Sequence, residues 1–365
     1  MCRKLVFAAT MSILAQSLAH ADAVIKPAFL GEIVLPSGLM ISGIEFGGIS
    51  GLDYDAETEV FYAISDDRSE KAPARFYRLK LLIEEDGVKG ADIISSHVLQ
   101  GEDGAPFAPK TIDPEAIRFD GTRQSVFWSS ERDAAGNPAL YEARADGAFK
   151  RSFTIPGAYL PDAAGERGIR NNLAFEGLAL SVDGKTAWVA TENALAQDGP
   201  KATPEAGSLS RILGFDVESG EPVAEYVYET GPIHRKSDTE PYYNDNGLTE
   251  ILEIDAGRFL AVERSFALGA GNEINLYLVE TAGASDILGA ERIADLDVDV
   301  ATLRKTHVLT IGEGDFGLDV DNIEAITEGP EVGGKQTLVM ASDNNFNPNG
   351  QFTQFVVFTL EPGLN

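Results

Sequence analysis

Asn172-Leu173-Ala174-Phe175-Glu176-Gly177-Leu178-Ala179, a turn at Asp183-Gly184, then Trp188-Val189-Ala190-Thr191-Glu192: the fold is decided on this stretch. Two short apolar runs flank an Asp-Gly turn, which is the pattern of a β-hairpin. A carboxylate stands near the start of the first run and another closes the second. The pattern recurs along the chain. Ser50-Gly51-Leu52 leads to Tyr62-Ala63-Ile64-Ser65-Asp66, and Glu115-Ala116-Ile117 leads to Phe127-Trp128-Ser129-Ser130-Glu131. Glu250-Ile251-Leu252 leads to Leu260-Ala261-Val262-Glu263, and Glu324-Ala325-Ile326 leads to Val339-Met340-Ala341-Ser342-Asp343. The first three copies keep a separation of 16 residues, the fourth shortens it to 13 and the fifth stretches it to 19.

Copies begin 65, 61, 74 and 74 residues apart, a period that marks a radial array of sheets. Third strands are predicted over 75–82, 139–143, 212–217, 274–279 and 354–360. Fourth strands are predicted over 93–99, 149–155, 223–228 and 291–296. The last repeat runs out of chain after its third strand. Its missing strand is expected from residues 29–35, which would close the ring and remove an exposed sheet edge. The expected fold is all-β, a β-propeller of five blades, with six blades as the alternative.

Arg3 and Lys4, an apolar run over 5–18 and the small-x-small triplet Ala19-His20-Ala21 read as a signal peptide over 1–21. One domain is expected over 22–365, periplasmic or secreted, with no membrane insertion after cleavage. Cleavage would remove Cys2, the sole cysteine, and with it any disulfide or thiolate chemistry. Formal net charge is −29, or about −31 without Arg3 and Lys4. A chain this acidic repels nucleic acid and anionic membranes and attracts metal cations.

In an antiparallel hairpin the start of one strand and the end of the next share an end. Glu115 is therefore expected beside Glu131, Glu176 beside Glu192, Glu250 beside Glu263, Glu324 beside Asp343, and Ser50 beside Asp66. With the first strand of each blade innermost, nine carboxyl groups converge on one mouth. They need counter-ions. Arg68, Arg132 and Arg264 are candidates from the chain itself. Calcium is the candidate from outside, since it takes six to eight oxygen ligands, with Asn193, Asn344 and Asn345 as further donors. Zinc is disfavoured, because His97, His234 and His307 are far apart and thiolates are lacking.

The segments 172–179, Gly48-Ile49-Ser50-Gly51-Leu52 and Asn322-Ile323-Glu324-Ala325-Ile326 resemble the bacterial phytase-like proteins, the esterase-like activity of phytase family. The resemblance runs over about 46–362. It implies an exported propeller with recurrent acids and a hydrolytic activity on phosphate esters, a small anionic ligand held through metal, and a site on Asp66, Glu115, Glu131, Glu176, Glu192, Glu250, Glu263, Glu324 and Asp343. Ser50 and Val262 depart from the repeat. Arg132 and Arg264 would meet the charge of a phosphate. Arg-His-Gly, P-loop and Gly-x-Ser-x-Gly signatures are missing from the sequence. Two readings therefore stand side by side: a calcium-dependent phosphoester hydrolase, monomeric, and a non-enzymatic propeller that calcium stiffens for ligand or protein binding. A Ser50-centred esterase with His234 as base is a minor third.

Overall fold

The computed structural model describes residues 25–361, so the expected signal peptide lies outside the described residues. Five four-stranded antiparallel sheets form a ring. Blade 1 comprises Ile49–Asp55, Val60–Ser65, Arg75–Glu84 and Gly87–Val98; blade 2 comprises Pro114–Asp120, Ser125–Ser130, Ala139–Arg144 and Phe149–Ser152. Blade 3 comprises Phe175–Leu180, Thr186–Thr191, Leu209–Asp216 and Pro222–Glu229; blade 4 comprises Asn244–Asp255, Arg258–Ala267, Gly271–Glu280 and Arg304–Gly312. Blade 5 takes Asn322–Val332, Lys335–Asp343 and Thr353–Glu361 from the C-terminal end and Lys26–Leu35 from the N-terminal end.

Ring closure by residues 29–35 follows expectation. Phe29 lies opposite Phe358 and Leu35 opposite Thr353. One fourth strand differs from expectation. In blade 4 it is Arg304–Gly312, whereas 291–296 holds the short 3-10 turn Ile293–Asp295. The segment Arg304-Lys305-Thr306-His307-Val308-Leu309-Thr310-Ile311-Gly312 carries the β-branched residues a strand favours, and 291–296 has fewer of them.

Apolar side chains fill the five seams between blades, not one central core. Between blades 1 and 2 the ring of Tyr62 stacks on Phe119 at 4.2 Å. Between blades 2 and 3 Phe127, Phe153 and Phe215 form an edge-to-face ladder. Trp188 meets Phe259 edge-on between blades 3 and 4. Ile326, Met340 and Phe358 join Leu260 and Ile274 between blades 4 and 5. Burial of these side chains supplies most of the force that holds neighbouring blades together.

The axis itself is occupied. Arg118, from the first strand of blade 2, is 2 % exposed and donates to the carbonyls of Leu52, Ile117, Ile251 and Ile326, which belong to four different blades. Its guanidinium also meets the Glu250 carboxylate at 3.1 Å. Both of its terminal nitrogens are thereby satisfied, leaving only Nε without an acceptor among the described residues, and pairing of this kind is what makes a buried charge tolerable.

Candidate functional site

Each blade's first strand carries a bulge at one end, and the bulge explains the site. Register shifts fall between Ile49 and Gly51, Pro114 and Ile117, Phe175 and Gly177, Leu248 and Glu250, and Ile323 and Ala325. The extra residue is unpaired and its side chain is re-aimed. The bulged residues are Ser50, Glu115 with Ala116, Glu176, Thr249 and Glu324. The residue before each bulge pairs with Ser65, Ser130, Thr191, Glu263 and Ser342 on the second strand. The next residues are Asp66, Glu131, Glu192, Arg264 and Asp343.

Blade 4 is thus one residue out of the expected frame. Thr249 and Arg264 occupy the positions assigned from sequence to Glu250 and Glu263. Glu250 stands where the other blades have Gly51, Ala116, Gly177 and Ala325, and its carboxylate accepts from the Leu178 and Ile251 amides at 2.8 and 3.0 Å beside Arg118. Glu263 accepts from the Tyr228 hydroxyl and Lys305 at 2.6 Å each and from the Gly231 amide at 2.8 Å. Both are internal fastenings away from the cup, and neither lines it.

The other seven predicted acids, Asp66, Glu115, Glu131, Glu176, Glu192, Glu324 and Asp343, line one cavity of about 800 Å³. Local backbone makes room for them. Gly247 packs on Glu192 so closely that a Cβ there would lie 2.4 Å from Oε1, and Gly48, at φ +64°, leaves no space for a Cβ beside Asp66. Arg264 is in the cup, pairing with Glu324 at 2.7 Å and Glu192 at 3.1 Å and donating to Asn322. Its Nε–H is buried and finds no acceptor among the described residues. Arg132 sits at the edge, bound to Asp113 at 2.6 Å, to Glu131 and to Asn171. The two arginines expected to act alike are therefore placed differently.

Sequence reading missed Asp113, Asp245, Glu313, Asp319 and Asp321, which also line the cavity with Arg68. Asp245 comes from the long first strand of blade 4 and the other four from connections, at varying offsets from the repeat, so no period reveals them. Of the three asparagines proposed as donors, only Asn345 lines the cavity. Asn193 is used by Ala202 and Asn246, and Asn344 by Gly48 and Phe346. His234 bonds Ser265 at 2.9 Å in blade 4, while the Ser50 hydroxyl is buried in blade 1 without a partner, so no hydrogen bond links this pair.

Twelve carboxyl groups and two guanidinium groups line the cup. Burial and then the charge of neighbouring acids push the cup carboxyls up: Asp66 and Glu192 to about 8, Asp113 to about 6, and Glu115, Glu176 and Asp343 well above their ordinary range. For Glu192 the Arg264 guanidinium opposes the shift without cancelling it. Glu115, 8 % exposed, accepts no hydrogen bond from the described residues, and one buried oxygen of Asp66 has no partner. Oxygens of Asp113, Glu115 and Glu131 lie within 4.8 Å of one another. This donor set is oxygen only and irregular, which fits calcium better than zinc or a thiophilic metal.

A family model described as phytase-like, esterase-like activity of phytase, matches residues 44–346. The chain belongs to this family. A curated relative, an uncharacterized secreted protein of Arthroderma benhamiae, is 30% identical over 193 residues, which is 50% of this chain and 36% of the relative. The chain thus matches about a third of that relative's length. Among solved structures, the hydrazine synthase of Kuenenia stuttgartiensis is 10% identical with a TM-score of 0.36, covering 86% of this chain and 80% of that one. That likeness is too distant to bear on the activity of this phytase-like propeller.

Proposed function

We propose that this phytase-like propeller is an exported hydrolase of phosphate esters whose acidic cup holds calcium. The observation that carries the reading is the presence, in one cavity, of carboxylates without a hydrogen-bond partner among the described residues and a guanidinium with a free N–H. Unpartnered carboxylates on blades 1 to 3, Asp66, Glu115 and Glu176, face a guanidinium that replaces the acid of blade 4. Such a cup offers oxygens for a cation and, at Arg264, a donor for an anion.

Asp113, Glu115 and Glu131, with Asp66 and Glu176 adjoining, are the residues that would hold calcium. Bound there, calcium would neutralise phosphate oxygens and acidify a water. The chain's own groups have the remaining work. Arg264 offers its free Nε–H to a phosphoryl oxygen while Glu192, Glu324 and Asn322 fix its orientation. A cup carboxylate accepts the proton of the attacking water. The new P–O bond forms as the ester P–O bond breaks, and the departing alkoxide takes a proton from a protonated cup carboxyl to leave as the alcohol.

The rival reading is a binding propeller. It is favoured by one observation: Arg132 and Arg264 already pair with acids of the cup, so the array is partly neutralised without metal. Assaying the purified chain on phosphate monoesters and diesters, with calcium and with chelator, separates the two. Calcium-dependent turnover that Arg264→Ala reduces at least a hundredfold, with little change in melting temperature at saturating calcium, is expected of the hydrolase. Tight calcium binding with no turnover of any ester overturns the hydrolase in favour of the binding propeller.

A further inference from the structure

The apolar part of the cup is confined to one side. Blades 1 to 3 contribute to its lining only acids, Arg68 and Asn172. Its five large apolar side chains, Tyr243, Phe266, Leu268, Val320 and Phe352, all come from blades 4 and 5 and their connections. They form one wall. The Tyr243 and Phe266 rings lie 6.0 Å apart, Leu268 donates its amide to the Tyr243 carbonyl at 2.9 Å, and the Phe352 amide bonds Asp321 beside Val320. Tyr243 is 51 % exposed, a large ring left open to a cavity mouth in a highly charged protein. A single exposed ring is ordinary, but with Phe266 and Leu268 beside it Tyr243 is part of a contiguous apolar surface on the cup.

Arg264 and Phe266 are two residues apart on one strand of blade 4. Side chains at i and i+2 share a face, about 7 Å apart along the strand. An aryl ester spans such a distance with its phosphate at one end and its ring at the other. Resting on the phosphoester reading above, we infer that the cup selects phosphate esters of aryl or similarly flat apolar alcohols over polyphosphorylated sugars or inositols. Charge argues the same way. A substrate bearing many phosphates needs a cation for each, and the cup offers two guanidinium groups among twelve carboxyls. A substrate with one phosphate needs only calcium and Arg264, and its remaining surface must bury against something apolar. The cavity, at about 800 Å³, is of the size that encloses a small organic ligand.

The test compares phenyl phosphate, methyl phosphate and inositol hexakisphosphate on the full chain with calcium. Wild-type protein is expected to show a KM for phenyl phosphate at least tenfold below that for methyl phosphate, and inositol hexakisphosphate is expected to be the poorest substrate. Phe266→Ala should raise the phenyl phosphate KM about tenfold and leave methyl phosphate within twofold. Tyr243→Ala, which removes a half-exposed ring, gives the same readout should Phe266→Ala fold poorly. Equal KM values, or equal effects of these variants on both esters, overturn the inference. If no ester is hydrolysed, calorimetric binding of phenylphosphonate and methylphosphonate reads the wall alone. A phenyl preference lost in Tyr243→Ala then sustains the apolar wall while hydrolysis fails. Equal affinities, or no binding, overturn the wall too.

Discussion

Calcium removal should make the protein lose stability as pH rises, and Glu192 sets the scale. Its carboxyl is 3 % exposed and held at about 8 by burial, against an ordinary 4.5. Between those values the folded chain keeps a proton that the unfolded chain releases, so stability is greatest below about pH 4.5 and falls as pH rises toward 8. The slope is about 1.4 kcal/mol per pH unit while the two states differ by one proton. From pH 6.5 to 8 the loss from Glu192 alone is therefore about 2 kcal/mol. Asp66, also held at about 8, titrates in the same window and adds to it.

Groups acting in the opposite sense lie outside this window. Asp67 and Glu142 are drawn below their ordinary range, most strongly by Arg75 on Asp67 and by Lys150 on Glu142, and their stabilisation is lost only under about pH 5. Burial lowers His97 and His234 from 6.5, which makes stability rise with pH only up to that value. For a chain of this size 2 kcal/mol is a fall of about 3 °C in melting temperature. The assay is thermal melting of chelator-treated protein across pH 6.5 to 8, repeated with calcium. Calcium at a hundred times its Kd should return about 2.7 kcal/mol, and return more at pH 8 than at pH 6.5, where protons compete for the same oxygens. A calcium-free melting temperature that is flat or rising across this window, with no response to calcium at pH 8, would refute the electrostatic account of the cup.

Neutralising an unpartnered acid should help the metal-free protein: Glu115→Gln is expected to raise its melting temperature and to abolish most of the calcium response, and a lower melting temperature with the response intact would count against a cation there. Glu250→Gln should do the reverse, destabilising by about 3 kcal/mol because Arg118 is left buried without its carboxylate, while the calcium response is retained; urea midpoints with and without calcium read both. Deleting residues 25–35 should unfold blade 5 and expose the edge of Thr353–Glu361, seen as aggregation or loss of the cooperative melt; a monomer with an unchanged melt would contradict ring closure by the two ends of the chain.

Fold and site were legible to different depths for a physical reason. Hairpin periodicity is a property of every blade, since each must bury both faces against its neighbours, and so it repeats in the sequence five times. Closure by residues 29–35 followed because a ring with one missing strand has only one chain end left to supply it. Carboxylates are a poorer guide to register than packing. The frame apolar, variable, small, apolar reads Ile49-Ser50-Gly51-Leu52, Pro114-Glu115-Ala116-Ile117, Phe175-Glu176-Gly177-Leu178 and Ile323-Glu324-Ala325-Ile326. Applied to blade 4 it gives Leu248-Thr249-Glu250-Ile251, which places Thr249 at the bulge and Glu250 in the axis, where only Arg118 makes its charge tolerable. Shifted in the same way, the second strand puts Arg264 at the acid position.

That one-residue correction changes the chemistry of the cup. A ring with strict fivefold repetition would present ten equivalent positions and no direction. Blades 2, 3 and 5 have both acids, whereas Ser50 replaces one in blade 1 and Thr249 and Arg264 replace both in blade 4. Carboxyls still surround the cup, six from blades 1 to 3 and six from blades 4 and 5 with their connection, and the oxygen cluster of Asp113, Glu115 and Glu131 lies within blade 2 and the connection leading into it. The Arg264 guanidinium stands on blade 4, two residues from the ring of Phe266. Direction in a propeller of near-equal blades comes from the positions where the repeat is broken. Restoring it is the corresponding test: Arg264→Glu, which supplies the absent acid, should raise calcium affinity or stoichiometry while abolishing binding of phenylphosphonate, and retention of that binding would remove Arg264 from the anion site.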